Sequence, residues 1–250
     1  MKEVQIMTRR LLAAILAAAA AMTVCTACGA KDKKGGNADG TSSAADAASG
    51  DAAGDASRNG SAENNAAETE EPTVAKSGDA ILIITDGQWY AKYFGTAEDL
   101  LSYGAGAAQI TGNGDYTVSV NAGSAGTQKE ITGDPNGSYQ CSGLGFAAVK
   151  VMDGTKLFPE MSIEIREIRV DGNPVQLSAK NYTSSDDNTE MRANIYNEYV
   201  SRFPDDAHNA DGKLTGEFGE YSSQIVDPAA FSKWQKIEVD FTVSGIGAQE

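Results

Sequence analysis

From about residue 78 onward, apolar and polar side chains alternate with a period of two. In "KIEVDFTV" (236–243), Ile237, Val239, Phe241 and Val243 share one face, and in "DYTVSVN" (115–121), Tyr116, Val118 and Val120 do the same. "MSIEIREIRV" (161–170) sets Met161, Ile163 and Ile165 against Ser162, Glu164 and Arg166. Its phase then slips so that Ile168 and Val170 continue the apolar set, which predicts a bulge near Arg166 and Glu167. "DAILIIT" (79–85) is apolar almost throughout and predicts a strand buried on both faces. Turn signals such as "TGNGD", "GDPNG", "VDGNP" and "NADGK" separate these runs. Helical signals are few. "TAEDLLSYG" (96–104), with Thr96 as cap, fits two turns, and "DPAAFSKW" (227–234), with Asp227 as cap and Pro228 at the first position, fits one short helix. Short strands with Gly, Asp and Asn turns and no internal repeat predict an all-β fold, an antiparallel two-sheet β-sandwich of the jelly-roll kind.

The N-terminal third has a different pattern. Arg9 and Arg10 precede "LLAAILAAAAAMTV" (11–24), an apolar run that suits a signal-peptide core and is short for a bilayer span. Met7 would place both arginines just after a start. The run ends in "CTACG" (25–29), which resembles a bacterial lipoprotein cleavage box, with Ala27 before the cut and Cys28 as the lipidated residue. Cys25 stands where an aliphatic residue is usual, so an ordinary secretory signal is the alternative. The stretch up to residue 77 is rich in Ala, Gly, Ser, Asn and acid and has no aromatic residue. Such a composition buries too little apolar surface to offset its ordering entropy, and as a flexible tether it would span roughly 40 Å. The expected division is residues 1–27 as lipoprotein signal peptide, 28–77 as disordered tether and 78–250 as β-sandwich domain.

The formal net charge of -15 argues against nucleic acid as a partner and against a basic membrane-surface patch. Cleavage would leave Cys28 for lipid and Cys141 unpaired, without a disulfide framework or a CxxC-type metal cluster. The one histidine, His208, lies in a loop-like segment, so no Ser/His/Asp or Cys/His arrangement is evident. Glycoside hydrolysis needs only two carboxylates, and Glu164, Glu238 and Asp240 could share a sheet face, but solvated acids on strands are the usual case. No catalytic residue is assigned. The loops "YTSSDDN" and "NADGK" are able to hold a structural calcium ion, although turn chemistry explains the same residues.

Two segments carry candidate binding chemistry. In "MRANIYN" (191–197), Arg192, Asn194 and Tyr196 oppose Met191, Ala193 and Ile195. A guanidinium, a carboxamide and a phenol on one strand face suit a sugar, as they equally suit a solvated outer face. "TDGQWYAKYFGT" (85–96) places Trp89, Tyr90, Tyr93 and Phe94 close together. If 88–94 is a strand, Trp89 and Tyr93 share one face and Tyr90 and Phe94 the other. Only one set can face the core of a sheet that is wet on its other side, unless a loop covers the second. The expectation is Trp89 and Tyr93 outward, with Tyr90 and Phe94 anchoring the sheet. Trp234 reads as a plug at the sandwich end.

Taken in order, "ILIITDGQWYAKYFG", "AAQITGNGDYTVSV", "SGLGFAAVKV", "IEIREIRVDGNPV", "YTSSDDNTEMRANIYNEY" and "VDPAAFSKWQKIEVDFTVSG" resemble carbohydrate-binding-type jelly-roll domains of the galactose-binding-like class, associated with secreted glycan-degrading proteins and lipoproteins of gut Clostridia. The resemblance implies a non-catalytic, sugar-binding or surface-associated sandwich, sometimes with a structural calcium. Trp89 would stand before a groove lined by Arg192, Asn194 and Tyr196. Such modules often accompany a glycosidase; here no attached catalytic domain is expected. The expected protein is a monomeric, lipid-anchored module on the extracytoplasmic face of the cell membrane that captures poly- or oligosaccharide. The alternative is an adhesion or accessory lipoprotein that binds a protein partner; a glycosidase is a third, weaker reading.

Overall fold

The structure is a computed structural model, and it describes residues 70–186 and 189–247. The signal segment, Cys28 and most of the tether lie outside the described residues. Twelve strands form two sheets: β1 (Asp79–Thr85), β2 (Lys92–Tyr93), β3 (Ala108–Gln109), β4 (Gly114–Asn121), β5 (Phe146–Val151), β6 (Ser162–Val170), β7 (Asn173–Val175), β8 (Thr183–Asp186), β9 (Glu190–Tyr196), β10 (His208–Asn209), β11 (Gly212–Lys213) and β12 (Lys236–Ser244). The first sheet runs β11-β10-β8-β9-β5-β1-β2, with β3 also paired to β1, and the second runs β4-β12-β6-β7. All ladders between named strands are antiparallel. The fold is an all-β two-sheet sandwich.

The alternation read from the sequence is realised in the core. Ile237, Val239, Phe241 and Val243 of β12 are buried and pair in register with β4 and β6. The predicted bulge is present. Asp240 pairs with Glu167 and Phe241 with Ile165, so Arg166 is the extra residue and the apolar phase is restored. Strand β1 is buried from Ala80 to Thr85, as its continuous apolar run requires.

Register sorts the first sheet into faces, because residues directly opposite one another share a face. Leu82, Val149, Ala193 and Thr183 stand in one row, and the Thr183 hydroxyl accepts the Ile163 N–H of β6 in the other sheet at 2.8 Å, so this row faces inward. Ile81, Lys150, Arg192 and Ser184 form a row on the opposite, outer face. Loops cover that outer face at both sides. Gly95 lies against Ile81 and Ala75, and Phe94 stacks on Phe146 with ring centres 6.3 Å apart. Tyr182 packs with Phe203 and Phe218 at 5.2 and 5.9 Å.

A side-chain seam closes one edge between the sheets. Strand β7 pairs only with residues 168–170, leaving the first half of β6 without a strand on that side. Asn181 accepts the Ile165 N–H at 2.9 Å and donates to the Ile163 carbonyl at 2.7 Å, while Thr183 takes the Ile163 N–H. A carboxamide carries one donor and one acceptor side, as a peptide does, and here it stands in for the missing strand.

Packing begins before residue 78. The Thr73 and Ala75 N–H groups donate to the Ser102 and Gly95 carbonyls at 2.9 Å each, and the Gly126 N–H donates to Glu70 at 2.7 Å. Residues 70–77, which composition grouped with the tether, are thus bonded to the sandwich.

Helical structure differs from expectation. Residues 96–101 form turns, followed by a 3-10 turn over Ser102–Gly104, because Asp99 binds the Phe94 N–H, the Thr96 N–H and the Thr96 hydroxyl and holds a compact loop. The 227–234 element is a 3-10 turn, Pro228–Phe231, capped by Asp227 on the Ala229 N–H. An unforeseen helix, α1 (Ala125–Thr132), runs from a Ser124 cap to Gly133 at φ 78°. A second, α2 (Gly154–Leu157), is a single turn. The buried side chains of α1 are Thr127 and Gln128, so no apolar stripe marked it in the sequence.

Candidate functional site: an exposed aromatic turn

The chain leaves β1 through a turn organised by one carboxylate. Asp86 is buried, and its Oδ1 accepts the Tyr90 N–H at 2.8 Å and the Gln88 N–H at 3.3 Å. Its carbonyl accepts the Trp89 N–H, its own N–H donates to the Ala91 carbonyl, and Gly87 is tied to the Ser142 carbonyl. An aspartate that binds backbone N–H groups two and four residues ahead fixes the turn that joins β1 to its antiparallel partner β2. Trp89 consequently adopts φ 59°. The left-handed region costs an L-residue about 1–2 kcal/mol, and a bulky tryptophan is an uncommon occupant. Trp89 is 47 % exposed, and neighbouring Tyr90 is 55 % exposed.

Each of these rings has an aromatic companion from another element. Trp89 meets Tyr199 edge to face, with centres 6.3 Å apart and planes at 60°. Tyr199 is 68 % exposed. Its N–H donates to the Asn197 side chain at 3.1 Å, Asn197 donates to Asn194 at 3.2 Å, and Ser223 Oγ lies within bonding distance of the Asn197 and Val200 carbonyls. Tyr90 meets Tyr139 at 6.4 Å and 67°. Tyr139 is pinned by the buried Gln128 of α1, which donates to its carbonyl at 2.9 Å and accepts its N–H at 2.8 Å. Gly145 lies beneath the indole. A Cβ there would stand 2.7 Å from the Asp86 carbonyl oxygen and 2.9 Å from Trp89 Nε1. The backbone comes this close only because residue 145 has no side chain.

The residues singled out from the sequence are dispersed by this arrangement. Trp89 faces outward as expected. Tyr93 does not: it is fully buried, its hydroxyl donates to the Thr73 carbonyl at 3.2 Å, and burial, reinforced by Asp99 and Asp79, pushes its phenol up to about 12. Tyr90, expected to anchor the sheet, takes the outward place. The cause is the Asp86 turn. Only Lys92 and Tyr93 are strand, so the alternation assumed across 88–94 does not hold.

Arg192 and Asn194 share the outer face with half-buried Tyr196 nearby, but they do not form an open groove. Asn194 is 1 % exposed, and the Arg192 guanidinium binds Asp186 at 3.1 Å beside Lys150, which reaches Asp186 and Glu190 at 3.6 Å. The 198–221 excursion, with Phe203 and Phe218 on Tyr182, covers what sequence alone left open. Asn194 instead supports Tyr199 through Asn197. Tyr199 was missed, although it stands three positions after Tyr196 in the same quoted run.

Compared with known protein families, curated proteins and solved structures, the chain matches none. The chemistry of the site therefore carries the functional reading.

The titratable groups beside the turn and those singled out elsewhere in the sequence are each held by neighbours. Burial, with the Asp86 charge adding to it, pushes the Cys141 thiol up to about 12. Burial also raises Tyr139, with Cys141 and Asp86 behind it. Both ring nitrogens of His208 lie against backbone carbonyls, those of Asp206 at 2.8 Å and Met161 at 2.9 Å. Asp240 is bound by Arg169 and Thr117 at 2.6 Å each, and Glu238 pairs with Lys236. Arg169 holds the Asp240 carboxyl below the usual range, the opposite of what a general acid needs. Among the described residues no group of three or more His, Cys, Asp or Glu side chains is arranged to hold a metal ion. Of the two loops considered for calcium, Tyr182 to Ser185 belong largely to β8 and residues 209–213 to the β10–β11 hairpin. Trp234 is fully buried, donates to the Gly143 carbonyl and pairs with Cys141, which makes it the plug.

Proposed function

We propose that this protein is a lipid-anchored, non-catalytic carbohydrate-binding module on the extracytoplasmic face of the cell membrane. The observation that supports the reading best is the Trp89 turn. A tryptophan is held in a strained conformation, half exposed and paired with a more exposed tyrosine. Strain of this kind persists where the surroundings over-determine it, and such places cluster at ligand sites. Aromatic faces offer an apolar surface for the C–H face of a sugar ring, and Tyr hydroxyls offer hydrogen bonds at its rim. The site residues in this reading are Trp89, Tyr90 and Tyr199. Arg192 and Asn194 act behind them, and Tyr93 belongs to the core.

Native gel electrophoresis through immobilised glycans tests the binding half. Retardation that disappears in Trp89→Ala and Tyr199→Ala is the expected result. Retardation that survives both changes removes the aromatic turn from the site, and a wild-type chain that no glycan slows favours the protein-binding alternative. The anchoring half has its own test: Cys28→Ser moves the chain from the membrane fraction to the medium.

A further inference from the structure

Resting on the carbohydrate-binding reading, we propose a specific ligand class: a single, soluble chain of a neutral polysaccharide, gripped along its length by both ring pairs. Crystalline glycan surfaces and acidic polymers are disfavoured. The first argument is the tilt of the rings. Within each pair the planes are inclined by 60° and 67°. No flat surface touches the faces of both members of such a pair, so a crystalline array would meet one ring and the edge of the next. A free chain, whose successive sugar rings rotate about its glycosidic bonds, can follow inclined faces.

The second argument is span. Trp89 and Tyr90 are consecutive, with Cα atoms about 3.8 Å apart, yet they pair with rings on different elements. Tyr199 follows β9 and Tyr139 follows α1, on separate segments, and the ring centres within the two pairs lie 6.3 and 6.4 Å apart, so the four rings together extend beyond a single sugar ring. One monosaccharide cannot cover both pairs, whereas a chain can.

The third argument is charge. The protein carries -15, Glu198 is exposed beside Tyr199, and the Asp86 carboxylate lies under the turn. A polyanion would meet repulsion at contact distance, within the screening length of about 8 Å at physiological salt.

The two tryptophans make the test direct, because Trp234 is fully buried and Trp89 alone can report a surface ligand. The full chain is titrated with soluble mixed-linkage β-glucan, xyloglucan and galactomannan, with polygalacturonate, and with suspended microcrystalline cellulose and chitin. Tryptophan emission and retardation or sedimentation are read together. The expected result is a response to at least one neutral soluble chain that is unchanged between low and high salt. Trp89→Ala and Tyr199→Ala should weaken it about tenfold or more. Tyr90→Ala should weaken binding of the polymer by a larger factor than binding of its disaccharide. Sedimentation with a crystalline powder but no soluble response overturns the single-chain assignment. A preference for polygalacturonate overturns neutrality, and equal effects of Tyr90→Ala on polymer and disaccharide overturn the spanning mode. Silence toward every probe sinks the carbohydrate reading itself.

Discussion

Trp89 and Trp234 are the same residue type in opposite circumstances, and the contrast can be measured. Trp234 is fully buried, and truncating it to alanine should cost about 3–5 kcal/mol in chemical denaturation. Trp89→Gly removes a ring of equal size, but it also relieves a left-handed residue of about 1–2 kcal/mol of strain. Against that relief stand a lost edge-to-face pair, worth about 0.5–1.5 kcal/mol, and the added chain entropy of glycine, about 0.4–1 kcal/mol. Adding the burial of the covered half of Trp89 leaves a net loss that should still fall below that for Trp234, while ligand response is lost. A large loss of stability would mean that Trp89 is a packing residue. Asp86 supplies the matching test. Asp86→Ala leaves the Gln88 and Tyr90 N–H groups without their acceptor and should cost about 1–3 kcal/mol, with Trp89 more accessible to a collisional quencher. Asp86→Asn keeps the Oδ1 acceptor and should restore most of both. Gly145→Ala should displace the turn, because its Cβ would overlap the Asp86 carbonyl oxygen, at a cost of about 1–3 kcal/mol.

At the scale of elements, the strands were legible because each long one buries a face, and burial writes a period-two pattern. The Arg166 bulge was legible for the same reason, since a phase slip in "MSIEIREIRV" has one physical solution. Helix α1 was hidden because its buried side chains, Thr127 and Gln128, work by hydrogen bonding and leave no apolar stripe. The candidate site was half legible. Aromatic crowding pointed to Trp89, but alternation misplaced Tyr90 and Tyr93, because a single aspartate turned a supposed strand into a turn. Arg192 and Asn194 lie where their spacing put them, yet the loop that covers them comes from residues 198–221 and left no mark on the spacing itself. The Asn181 seam is another element that pattern cannot reveal. Asn181→Ala leaves the Ile165 N–H without its acceptor and the Ile163 carbonyl with only its longer bond from the Thr183 hydroxyl, and should destabilise the fold by about 1–3 kcal/mol. Amide exchange at Ile165 should rise more than at Val239 in the centre of the sheet; equal increases would mean the seam is a surface detail.

For the molecule as a whole, the outer face of the second sheet is a lattice of ion pairs centred on Arg169, which reaches Glu167, Glu238 and Asp240. The Arg169 hydrogen bond lowers Asp240, and hydrogen bonds from Ser185 outweigh burial to lower Asp206. A carboxyl held below its unfolded value stabilises the fold above the ordinary carboxylate range, near 3.8, and that contribution is lost as pH falls through its folded value. Denaturation midpoints should therefore be flat at neutral pH and decline from about pH 4 downward. Arg169→Met should flatten that decline, and an unaltered slope would assign acid sensitivity elsewhere. A last consequence follows from β1, which has the bonded segment 70–78 at one end and the Trp89 turn at the other. For a chain held on its N-terminal side while a polymer drags on Trp89, the pull runs lengthwise through this one inner strand. Its six ladder partners on β5, from Val151 to Phe146, would then be loaded together in shear rather than unzipped one at a time. Single-molecule pulling between residue 70 and the turn should give a higher rupture force than pulling on Gly212 at the sheet edge, so the domain would hold firm along the one axis on which its ligand can tug.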